Sequence, residues 1–327
     1  METLQGISKD IALLPFVSCC LLAPLWSVSR AAEAPKPYHA PRSADGHADM
    51  EGNWKNSNLT PLERPAEFST LVITPADADK LRAQYLAPAF NPNQPDDPGR
   101  VLENRVVEPI RGELRSSLII DPADGKIPWN AVYQEKSAEM RKKAMTVFDN
   151  PEDRTPIERC LNSNGVAPMI PNNDDNLYEF VQTHAITVIV SESVHDARMI
   201  RMNSTHSPAE VTSWLGDSIA WWEGETLVVE TKYFAPHSAV RANGRTFFLV
   251  SPDTTVVERF TRVSEVELNY VFTVSDPNYY SRPWTGESHL SRTKDRLFEY
   301  ACHEGNYSMR NIFEGARQSD LNGSPPH

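Results

Sequence analysis

Alternation of apolar and polar positions dominates the second half of the chain. Runs at 177–182, 186–192, 197–202, 218–222, 226–234, 246–250, 255–263, 267–275, 286–293 and 296–303 are rich in β-branched and aromatic residues. Short polar breaks separate most of them, which is the pattern of strands joined by tight turns. The phase is plainest in 267–275, where Leu268, Tyr270, Phe272 and Val274 alternate with Asn269, Val271 and Thr273. Glu223-Gly224-Glu225 lies between two runs and signals a hairpin. Crossover helices are missing between most of these runs. Such a meander is antiparallel, and closing it into a barrel removes its edges. The expected fold is mainly β: a lipocalin-like barrel or a strongly curved sheet over 176–317. No internal repeat supports a propeller.

The first half reads differently. Residues 35–65 are rich in proline and polar groups and are expected to wrap over the surface. Thr74 as N-cap and Pro75 in the first turn predict a helix to about Leu86. Residues 88–100 read as a loop, and 117–128 as a strand with a tight turn at Asp124-Gly125. Helix formers without glycine or proline predict a surface helix over 130–146. Residues 150–177 are irregular. Ser207-x-x-Glu210 has the form of a capping box and predicts a short helix ending near Trp214. The tail 318–327 reads as disordered. These elements make one domain, in which 32–175 wraps the barrel.

One long apolar run, 11–28, begins just after Lys9 and leads into Ser29-Arg30-Ala31. That is the pattern of a secretory signal, 1–31, cleaved after Ala31, and it predicts a periplasmic or secreted protein. A retained anchor fits less well, because the run contains Pro15 and Pro24. A lipoprotein cysteine at Cys19 or Cys20 also fits less well. Removing the signal leaves Cys160 and Cys302. An even pair in an exported chain is expected to be oxidised, and closing so long a loop is worth on the order of 4–5 kcal/mol in chain-entropy terms.

Composition narrows the partners. The 327 residues are 40% hydrophobic and 9% aromatic, which excludes a disordered chain and a multi-span membrane protein. The net charge is -12, which disfavours nucleic acid and leaves a small molecule as the expected partner. No membrane association is expected once the signal is gone, and the oligomeric state stays open. The chain has no GxSxG, HExxH, Walker, GxGxxG or CxxC motif. That removes the commonest hydrolase, metalloprotease and nucleotide-binding classes.

Several segments are long and specific: 45–65 (DGHADMEGNWKNSNLTPLERP), 152–160 (EDRTPIERC), 195–200 (HDARMI), 214–234 (WLGDSIAWWEGETLVVETKYF), 257–263 (VERFTRV) and 298–317 (FEYACHEGNYSMRNIFEGAR). Together they resemble a large family of exported bacterial proteins, mostly labelled hypothetical, from proteobacteria and acidobacteria that live on complex organic matter. The resemblance covers nearly the whole mature chain. It implies export and a β-rich, lipocalin-like body, and it supplies no reaction.

Candidate chemistry gathers in a few places. In His195-Asp196-Ala197-Arg198, Asp196 and Arg198 share a strand face and can pair to orient an anionic group, with His195 as acid or base. In the run ending at His303, Tyr300 and Cys302 share one face and His303 the other, so a Cys302 bridge at the wall turns His303 toward the cavity as a general acid, with Glu304 beside it. The Cys160–Cys302 bridge would bring Glu158 and Arg159 to that site. Trp221, Trp222, Trp284 and Tyr300 are candidate walls of an aromatic pocket, with Trp221 and Trp222 on opposite faces. No organic cofactor is called for. A metal assembled from separate strands, such as His184, His195 and His303, is left open. Two functions are expected from this. The first is an enzyme acting on a small apolar or aromatic compound by cofactor-independent acid–base chemistry, as a lyase, isomerase or hydrolase. The second is a non-catalytic periplasmic binding protein with a barrel pocket.

Overall fold

A computed structural model describes residues 38–86, 105–163, 165–171, 176–236, 240–243 and 246–323. The segment expected to be a signal, 1–31, lies outside the described residues, as do Cys19, Cys20, the loop expected at 88–100 and the last four residues of the chain. The chain is mainly β. Its strands are β1 (Gly52–Lys55), β2 (Ile119–Asp121), β3 (Leu177–Gln182), β4 (Ile186–Ser191), β5 (Ala197–Met202), β6 (Asp217–Glu223), β7 (Thr226–Lys232), β8 (Val240–Asn243), β9 (Thr246–Leu249), β10 (Thr255–Arg262), β11 (Glu267–Ser275) and β12 (Trp284–Arg292). Nine of them close a barrel in the order β1-β3-β4-β5-β6-β7-β10-β11-β12, with β12 pairing back onto β1. β2 adds to β12 outside the ring, and β8 and β9 form a separate hairpin.

The barrel differs from a plain meander in two respects. First, β1 closes it, although GNWK lies in a stretch expected only to wrap. Four residues carry little pattern of their own. They become a strand because Trp54 faces Tyr178 on one neighbour and Arg292 on the other. Second, β5 and β6 run parallel, so the sheet is mixed. Residues 203–216 carry the chain back between them, a length that a parallel neighbour requires. No helix forms there. The Ser207 hydroxyl and N–H both bond Asp217, at 3.0 and 3.1 Å, so Ser207 does not cap a helix.

Four helices are described: α1 (Pro75–Leu86), α2 (Ala131–Thr146), α3 (Cys302–Gly305) and α4 (Tyr307–Leu321). The first two lie where capping and propensity place them. Asn130 caps α2 by accepting from the Tyr133 N–H at 2.9 Å. The C-terminal region corrects the sequence reading. Residues 296–303 form no strand, because β1 and β12 already pair and the ring offers no edge to a further strand. The chain instead leaves the barrel as an arm ending in α3 and α4. Met309, Ile312, Phe313 and Ala316 follow helical spacing on α4. Residues 318–321 belong to α4 and are not a disordered tail.

Inward residues fill the barrel. Every second position of β10 and β11 is buried, and β12 is buried on both faces from Gly286 to Leu290. The wrap causes the second feature. Glu287 N–H donates to Leu118 O at 2.8 Å, and β2 covers the outer face. Gly286 shows how tight the interior is: a Cβ there would stand 2.3 Å from Phe272 Cζ. Gly286→Ala is therefore expected to destabilise the fold by about 1–3 kcal/mol, through overpacking, in urea denaturation. No helix among the described residues is long and apolar enough to cross a membrane.

Candidate functional site

The barrel lumen is lined by aromatic rings that touch in sequence. Phe180 meets Phe260 edge-on at 5.5 Å, Phe260 stacks on Tyr270 at 4.9 Å, and Tyr270 leads through Phe272 to Trp284 at 5.4 and 5.8 Å. A charged network is set among these rings. Arg198 enters from β5 and Glu258 from β10, with side chains 1% and 0% exposed. The guanidinium forks onto the carboxylate, Nη1 to Oε2 at 2.5 Å and Nη2 to Oε1 at 3.2 Å. The Tyr270 hydroxyl donates to Glu258 Oε1 at 2.7 Å and accepts from the Met169 N–H at 2.8 Å. Burial, then the Glu258 charge, push the Tyr270 phenol well above its ordinary range, so it stays protonated and donates. Burial also raises the Tyr178 phenol, which feels Arg198, Asp196 and Glu258. Arg198 Nε is a buried donor without a partner.

Residues 165–171 pack against this network. Val166, Ala167, Met169 and Ile170 join the core, and Met169 reaches Tyr270. Asp196 Oδ2 accepts from the Ser163 N–H at 2.7 Å. Only glycine fits at 165, where a Cβ would lie 2.4 Å from Asp196 Cβ. The turn ahead of β5 carries consecutive left-handed residues, Val194 at φ 60° and His195 at φ 54°. Such backbone costs on the order of 1–3 kcal/mol per residue. Past this turn Asp196 and Arg198 lie buried, while His195 stays exposed.

The two halves of the first candidate thus separate. Asp196 and Arg198 do share the inner face, but the guanidinium forks onto Glu258. His195 lies outside. Its Nδ1 is 3.1 Å from Tyr300 O, and its Nε2 accepts from the Tyr300 N–H at 3.2 Å. The ring is engaged on main chain at both nitrogens, which leaves it no free base for substrate. His303 and Glu304 do not reach a barrel cavity. Both sit exposed on α3, because 296–303 is not a strand.

The disulfide is present between Cys160 and Cys302. It does bring two distant segments together. Asn306 Nδ2 donates to Glu158 O at 2.8 Å, and a cleft of about 480 Å³ beside the bridge is lined by Ile157, Glu158, Glu299, Tyr300, Cys302 and Asn306. His303 and Arg159 are not walls of that cleft. Arg159 turns to Glu152 at 3.6 Å and over the Trp214 ring at 5.7 Å. Of the expected aromatic walls, Trp284 lies in the lumen. Trp222 packs at the edge of the core and stacks on His47 at 4.8 Å. Trp221 is on the outer face bonded to Glu223, and Tyr300 is on the arm. Among the described residues no three His, Cys, Asp or Glu side chains group as metal ligands, and His184, His195 and His303 form no such set.

Sequence reasoning passed over Glu258 and Tyr270. The signal was in phase: Glu258 falls between Val256 and Phe260 at inward positions of β10, where a charge requires a partner. It also passed over an outer network, in which His206 faces Asp217 at 2.7 Å and Glu230 at 3.0 Å while Arg201 forks onto Asp217. Comparison of the chain with family models, curated proteins and solved structures finds no match.

Proposed function

We propose that this chain is an exported enzyme acting on a small apolar or aromatic compound by acid–base chemistry, with no organic cofactor, inside the barrel, whose packed rings must part to admit the compound. The observation that carries this reading is the fully buried Arg198–Glu258–Tyr270 network amid aromatic rings. An ion pair in such a place contributes less to stability than well-packed apolar residues of the same volume, which points to use. In this reading Tyr270 donates a proton toward the reacting oxygen or carbon. Glu258, ionised against Arg198, takes a proton from the compound and passes it to the Tyr270 phenolate, and Arg198 holds the charge that develops. The reaction class is a lyase, isomerase or hydrolase step. The site works without His195 and His303, both of which lie on the surface.

One observation favours the second reading, a periplasmic lipocalin-like carrier. Glu258 already accepts three hydrogen bonds, and no histidine occupies an inward position of the nine barrel strands. The test begins with the compound that accumulates when the gene is deleted. With that compound, Tyr270→Phe is expected to lower kcat by about 10²–10⁴-fold with little change in KM. His195→Gln should turn over like wild type. Tight binding without turnover in the wild type would leave the carrier reading standing.

A further inference from the structure

A second polar cluster sits on the outer wall, and nothing in the lumen chemistry uses it. Strand register places Asn269 of β11 directly opposite His289 of β12, and Glu267 opposite Ser291. On one sheet face a directly opposed pair lies about 5 Å apart and a diagonal pair about 7 Å, so Asn269 and Glu267 both neighbour His289. Glu287 stands two residues before His289 on the same face.

The hydrogen bonding there is one-sided. Glu108 is fixed by Asn58, which donates to its carbonyl at 3.1 Å and accepts from its N–H at 3.0 Å. The Glu108 carboxylate in turn meets His289 Nε2 at 2.8 Å. An ionised carboxylate only accepts, so Nε2 carries a proton, and in the neutral ring Nδ1 is then left as an acceptor. His289 is 4% exposed, and its Nδ1 has no partner. Glu267 Oε1 and Asn269 Oδ1 are likewise buried and unpartnered. The Glu287 carboxylate is already paired, with Arg115 Nη1 at 2.5 Å from its Oε2 and Arg111 Nη1 at 3.6 Å from its Oε1. Acceptors of this kind are normally satisfied in native proteins.

We propose that this wall binds a protonated amine, whose N–H groups donate to His289 Nδ1, Asn269 Oδ1 and Glu267 Oε1. Glu267 and Glu108 supply the charge, since Glu287 is offset by Arg115 and Arg111, and the acidic chain favours a cationic ligand. A bare metal ion fits worse. It needs ligands converging to about 2.0–2.6 Å, and no three such side chains group that way among the described residues. An ammonium bonds at about 2.7–3.2 Å in three directions and spans acceptors set farther apart. The Arg111 and Glu108 side chains that contact this wall are 64% and 28% exposed.

Calorimetric titration of the full chain tests this, with methylammonium and putrescine chlorides at fixed ionic strength. Sodium, calcium and zinc chlorides run in parallel. The expected result is saturable one-to-one binding of an amine, weakened at least tenfold by Glu267→Gln and by Asn269→Leu, and kept in Tyr270→Phe. Both weakening variants change partly buried side chains on the outer wall, so urea denaturation is run on each beside the titration. The proposal is overturned if amines behave as sodium does, if a metal ion binds and amines do not, or if Glu267→Gln binds amine as tightly as wild type.

Discussion

Replacing Arg198 by methionine alone is expected to cost about 3–5 kcal/mol of stability, one of the two largest effects a single position should produce in this barrel. The loss comes from Glu258 and not from packing. Methionine fills much of the space, but it leaves a carboxylate with 0% side-chain exposure facing aromatic rings with only the Tyr270 hydroxyl to satisfy it. Glu258→Leu alone should cost a similar amount by stranding the guanidinium. The double variant Arg198→Met/Glu258→Leu removes both charges together. It is expected to recover most of the loss, and such replacements elsewhere have been neutral or stabilising. Urea denaturation of the three variants measures the coupling. If the two single losses simply add in the double variant, the charges are not paired in the way described.

The other large effect belongs to the disulfide. Cys160 and Cys302 are 142 residues apart in sequence, and a loop of that length contributes on the order of 4–5 kcal/mol when its closure is lost from the unfolded state. The site of weakening is also legible. The arm after β12 is otherwise tied by His195 on Tyr300, Glu192 on the Phe298 N–H, Asn306 on Glu158, and Arg317 on the Phe148 and Asp149 carbonyls. These ties are exposed or half-buried, and hydrogen bonds in water hold little. Cys160→Ser/Cys302→Ser should therefore lower the urea midpoint. It should also let trypsin cut at Arg296, Arg310 and Arg317 while the barrel resists. Equal resistance of arm and barrel in the reduced protein would show that the bridge is not what holds the arm.

Much of the barrel was written in period-two alternation, and the strands with the clearest phase, β10 and β11, stay in register from Thr255–Ser275 to Arg262–Leu268. What the pattern missed was set by neighbours. β1 is too short to signal itself and exists because the ring needs closing. Residues 296–303 have strand-like composition but find no free edge. Ser207 has the form of a cap, yet its hydroxyl is better used on Asp217. The same holds for the site. Arg198 was recognisable, because a guanidinium next to an aspartate at a strand start needs a partner. That partner, Glu258, lies 60 residues away and is fixed only by barrel closure. His195 and His303 drew attention as titratable groups. Their roles turned on a left-handed turn and on a segment that leaves the sheet, neither of which spacing reveals.

The most direct test of the lumen as the working site uses Arg198→Met/Glu258→Leu once more, now for activity. Stability and turnover of the compound accumulating in the deletion strain are measured on the same sample. The expected result is a folded protein, close to wild type in stability, with turnover lost. A double variant that is folded and still turns the compound over at the wild-type rate would contradict the account, and would place the chemistry elsewhere on the molecule.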